Sequence, residues 1–74
     1  MADHVFKGIT IVGTSNESFS QATEAALERV KQTLRQLRWF RVCEQRGAVV
    51  DGRVEYQVTL EVFFRLESGE ATEA

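Results

Sequence analysis

From Val54 to Leu66 apolar and polar residues alternate with little interruption: Val54, Tyr56, Val58, Leu60, Val62, Phe64 and Leu66 against Glu55, Gln57, Thr59, Glu61, Phe63 and Arg65. A period of two sends the sets to opposite faces of one extended strand. So long a strand needs neighbours for its backbone and an apolar cover for its first face. The neighbours are legible. Asp51-Gly52 is a strong short-range hairpin signal, and it makes WFRVCEQRGAVV, Trp39 to Val50, the antiparallel partner. A further strand is read at VFKGITIV, Val5 to Val12, where Val5, Ile9 and Ile11 share a face that Lys7 interrupts.

The cover comes from the segment between these strands. After the small polar cluster GTSNES, Ser18 stands three residues before Gln21, the spacing of a capping box, so a helix should begin near Phe19. Phe19, Ala22, Ala26, Val30, Leu34 and Leu37 recur at intervals of three and four, with Glu24, Glu28, Lys31, Arg35 and Arg38 on the other side. This predicts one amphipathic helix of about five turns. The expected fold class is α+β: a β-α-β-β chain whose three-stranded antiparallel sheet wraps on a single helix. Residues 1–66 form the domain. The last residues, 67–74 (ESGEATEA), are too poor in apolar groups to pack and read as an acidic, disordered tail.

The hairpin register decides what surrounds Trp39. A simple two-residue turn pairing Val50 with Arg53 would set Phe40 against Phe63 and Val42 against Glu61, which spoils the core face. One bulged residue, expected near Arg46-Gly47, repairs it. Phe40 then faces Val62 and Val42 faces Leu60 on the core side, while Trp39 faces Phe63 and Arg41 faces Glu61 on the other. Trp39, Phe63 and Gln57 therefore share the face that the helix leaves open. Large apolar groups there imply a subunit contact or a ligand platform.

A core of 74 residues supplies only a few kcal/mol, so a chain this short needs a disulfide, a metal or partner subunits. The lone Cys43 excludes an internal disulfide, and the lone His4 has no metal-ligand cluster beside it. Oligomerisation remains. No apolar run approaches a membrane span and the N-terminus lacks a signal-peptide pattern, so a soluble, cytoplasmic protein is expected. The net charge of −2 conceals a basic middle from Arg29 to Arg53, read as a solvated helix face making i,i+4 pairs. No nucleophile with a base, no carboxylate pair at a defined site and no phosphate-binding glycine loop is present, so no enzyme is expected.

Taken together, the strand exit VGTS, the run LRQLRWF, the RG of the second strand, the DG turn and YQVTLEVFFRLE resemble the dodecins over nearly the whole chain. The resemblance implies a hollow homo-dodecamer that binds riboflavin, FMN or a related flavin as stacked pairs between tryptophans of two-fold related subunits. It implies that Trp39 is the stacking tryptophan, Gln57 the amide that meets the polar edge of the isoalloxazine, and Arg46 a contact for the ribityl chain or phosphate. Phe63 joins them as a residue lining the site, at a position where the family usually has a small residue. The Arg41 and Glu61 pair is charge-swapped relative to the family, and the stretch from Gly52 to Tyr56 is one residue shorter than in many relatives. The implied function is flavin storage, buffering or sequestration with quenching of flavin photochemistry. An alternative is a small oligomeric nucleic-acid-binding module, since aromatics beside arginines on a sheet can stack bases. The overall acidity weighs against nucleic acid as a partner.

Overall fold

The structure, a computed structural model, describes residues 3–66. Strand β1 (Val5–Ser15) leads into helix α1 (Phe19–Lys31), followed by β2 (Leu37–Val50) and β3 (Arg53–Leu66). The sheet is antiparallel throughout in the order β1-β3-β2, so the long alternating strand is central. The expected β-α-β-β fold is present. The expected tail, 67–74, lies outside the described residues.

The helix starts where the cap signal put it. Ser18 holds an extended backbone, and its Oγ accepts from the Gln21 N–H at 3.0 Å. It ends earlier than the periodicity predicted, at Lys31, with Gln32 as its cap. Thr33 and Leu34 bond back to the Val30 carbonyl, and Gln36 then turns the chain at φ 60°. Leu34 and Leu37 do pack on the core, but from the connection and from β2 rather than from a helix. Arg35 and Arg38 accordingly lie beyond the helix, and on its surface Glu28 pairs with Lys31, 3.5 Å apart at i,i+3.

Ala22, Ala26 and Val30 of α1 meet Val58, Leu60 and Val62 of β3, and all six are buried. Each such strand side chain contributes about 1.5–3 kcal/mol by leaving water. The alanines and Gly13 bring α1 down onto β1: a Cβ at Gly13 would lie 2.2 Å from the Ala22 carbonyl oxygen and 2.8 Å from the Ala26 Cβ. The helix covers β1 and β3. It does not reach across β2, so Phe40 and Val42, expected in the core, stay 43% and 41% exposed on the helix side.

Asp51 and Gly52 both hold positive φ, 53° and 75°, the type I′ geometry that matches strand twist. From there the simple register runs on through Gly47↔Tyr56, Arg46↔Gln57 and Glu44↔Thr59. The bulge falls at Cys43 rather than at Arg46-Gly47. Gln45 therefore stands opposite Val58, and Glu44 stands opposite Thr59 on the open face. Beyond Cys43 the expected pairs Val42↔Leu60, Arg41↔Glu61, Phe40↔Val62 and Trp39↔Phe63 all form.

Candidate functional site

The open face of the sheet is a ladder of rows across three strands. At one end lie Gly8, Phe63 and Trp39; next come Thr10, Glu61 and Arg41; then Val12, Thr59 and Glu44; and at the far end Thr14, Gln57 and Arg46. Each row follows from the strand period and from the bulge at Cys43; a second register shift falls between Leu37 and Trp39, outside these rows.

Trp39 is the largest ring on this face and remains 45% exposed. Phe63 stacks on it, with ring centroids 4.7 Å apart and planes 13° from parallel. Phe6 of β1 meets it edge-on at 5.0 Å. The three rings therefore form one cluster that spans all three strands. Arg41 Nη2 donates to Glu61 Oε1 at 2.6 Å beside it. This hydrogen bond is the chief cause that pushes the Arg41 guanidinium above its ordinary pKa, and the row next to the indole holds an ion pair.

At the far end Arg46 Nε donates to Gln57 Oε1 at 2.6 Å, and Gln57 Nε2 donates to Glu55 Oε1 at 2.9 Å. A guanidinium can only donate and a carboxylate can only accept, so the two neighbours fix which way the Gln57 amide points. Each end of the amide keeps capacity for one further bond. The sequence placed Arg46 near this surface; the register puts it directly opposite Gln57. The role of Glu55 was not legible, because it depends on a diagonal contact along one strand.

The four expected residues thus fall into two pairs. Trp39 and Phe63 are in contact, as are Arg46 and Gln57. The pairs are not together: Gln57 and Phe63 are six residues apart on β3, about 20 Å at 3.3–3.4 Å per residue, which is longer than a three-ring isoalloxazine. Trp39 and Gln57 thus lie at opposite ends of the open face. A separate cleft of about 520 Å³ lies between α1 and the outer edge of β1, lined among others by Ile11, Ala26, Arg29 and Val30, and contains none of the four. Among the described residues, no helix is long and apolar enough to cross a membrane, and no three or more His, Cys, Asp or Glu side chains are grouped to hold a metal ion.

A one-helix, three-stranded subunit with an aromatic platform on its uncovered face defines a small α+β binding protein. Residues 5–67 match the family model described as Dodecin. The chain belongs to the dodecin family. It is 53% identical over 64 residues to the dodecin of Thermus thermophilus, covering 85% of this chain and 93% of that one. It is 40% identical over 63 residues to the calcium dodecin of Mycobacterium tuberculosis, covering 84% and 89%. The solved dodecin of Streptomyces coelicolor superposes with a TM-score of 0.85 at 43% identity, over 93% of this chain and 100% of that one.

Proposed function

We propose that this protein is a cytoplasmic subunit of a hollow homo-dodecamer that binds riboflavin, FMN or a related flavin, storing or sequestering it and quenching its photochemistry. The observation that carries the reading is an indole left 45% exposed on the sheet face that the helix does not cover. An electron-rich indole suits offset stacking with an electron-poor isoalloxazine, worth about 0.5–1.5 kcal/mol beyond area burial. Trp39 provides the stacking face. The oriented Gln57 amide supplies a donor and an acceptor for the ring's polar edge, from a neighbouring subunit given its distance along β3. Arg46 lies beside it for a ribityl chain or phosphate. Bound flavin is the cargo, held without chemical transformation.

The name of the mycobacterial relative points to calcium as another ligand. On the open face, however, the Glu61 and Glu55 carboxylates are engaged by Arg41 and Gln57, and Glu44 joins no group of three or more possible metal ligands among the described residues. Flavin is therefore the reading adopted.

Titration of riboflavin and FMN with the purified protein tests it through flavin fluorescence. Strong quenching by the native chain is expected, with Trp39→Ala losing at least tenfold in affinity while keeping its oligomeric mass. Quenching that survives intact in Trp39→Ala would remove the indole from the site.

A further inference from the structure

The ring of Phe63 is stacked on one face of the Trp39 indole. It is parallel to the Trp39 indole within 13° at a centroid separation of 4.7 Å, the geometry of an offset stack. Its other neighbour is the bare backbone of Gly8. A Cβ at position 8 would stand 2.7 Å from Phe63 Cε1 and 3.0 Å from Cδ1, so the ring occupies the space a side chain would fill. Phe63 thus has a seat, formed by a glycine in β1 and an indole in β2, on the side chain's own row of the sheet.

We propose that Phe63 is the specificity-determining residue of this platform, a built-in ring that competes with a planar heterocyclic ligand for one face of Trp39. The inference rests on the flavin reading above and refines it. A ligand ring that takes this face must first displace Phe63 from its seat. Losing the aromatic pair weakens binding relative to a site where the seat is empty. If Phe63 were instead a wall of the flavin pocket, its removal would weaken binding. The two roles predict opposite signs.

The test compares the native chain with Phe63→Ala and Phe63→Leu, using riboflavin as the ligand and acrylamide quenching of Trp39, the sole tryptophan, as a ligand-free readout. With the seat emptied, Phe63→Ala is expected to bind riboflavin about three- to tenfold more tightly, the range that corresponds to giving up one aromatic pair. Acrylamide should reach Trp39 more readily in the same variant before any flavin is added. Phe63→Leu, which keeps bulk over Gly8 without a flat ring, should fall between the two. Equal or weaker riboflavin binding by Phe63→Ala overturns the inference and makes Phe63 a pocket wall. Should Phe63→Ala lose its oligomer, Phe63→Leu carries the comparison, and it too must bind more tightly than the native chain. If neither the native chain nor the variants bind riboflavin while all keep a native circular dichroism spectrum, the flavin reading falls and this inference falls with it.

Discussion

Gly13 is the residue on which the helix-to-sheet distance depends. The Ala22 carbonyl oxygen lies 2.2 Å from where its Cβ would be, and backbone cannot swing aside as a flexible side chain can. Gly13→Ala should therefore cost about 1–3 kcal/mol, the usual range for overpacking a tight interior, and more if α1 has to lift off β1. Thermal denaturation at fixed protein concentration measures this, and an unchanged midpoint would mean that α1 is not seated on β1 as described. Single residues were unevenly legible in the sequence. The contact of Trp39 with Phe63 followed from strand parity plus one bulge, because a one-residue slip would have set Phe40 against Phe63 and turned Trp39 to the helix side. The close approach at Gly13 did not, because a glycine in a polar cluster reads as a turn until the helix above it is known. The separation of Trp39 from Gln57 was implicit in the numbering of Gln57 and of Phe63, the cross-strand partner of Trp39, along β3. Shared parity alone masks it, since residues on one face of a strand are not thereby neighbours.

Elements were read correctly in kind and less well in extent. The helix begins at the Ser18 cap, and removing that oxygen with Ser18→Ala should cost about 1 kcal/mol, the typical value for a Ser cap whose N–H partner is left unpaired. A shift in the chemical denaturation midpoint reports it, and no shift would mean that water replaces the Oγ at no cost. The helix was read too long because Leu34 and Leu37 continue its apolar spacing while packing on the same core from outside it. Periodicity records which residues reach the core and is blind to the backbone that carries them. The turn at Asp51-Gly52 was legible because both residues tolerate positive φ. With nothing within 4 Å of a Cβ at Gly52, the cost of Gly52→Ala is conformational alone, about 1 kcal/mol. The bulge was legible as a necessity but not in its place. Gly47 advertised itself as the flexible residue, yet it sits in the ladder opposite Tyr56, and the extra residue is Cys43.

At the scale of the whole molecule, one helix is too narrow for the sheet it covers. Phe40 and Val42 lie on the helix side of β2, opposite Val62 and Leu60, which are fully buried, yet both are more than two-fifths exposed. The apolar face thus continues past the helix and stops at a free strand edge. A further group of apolar side chains, Val49, Val50 and Val54, is exposed at the hairpin end. Among the described residues nothing covers these side chains, so the proposed assembly is where they would leave water. The consequence is testable without any ligand. Phe40→Asp places a carboxylate on the uncovered part of the face, where water reaches it in an isolated subunit but where it would be buried unpaired in an interface, at a cost of several kcal/mol per subunit. Sedimentation velocity should show the native chain as one large species and Phe40→Asp as small ones, with far-ultraviolet circular dichroism preserved where the subunit fold survives. A variant that sediments with the native chain would put Phe40 outside every subunit contact, and the hairpin valines would then have to carry the association.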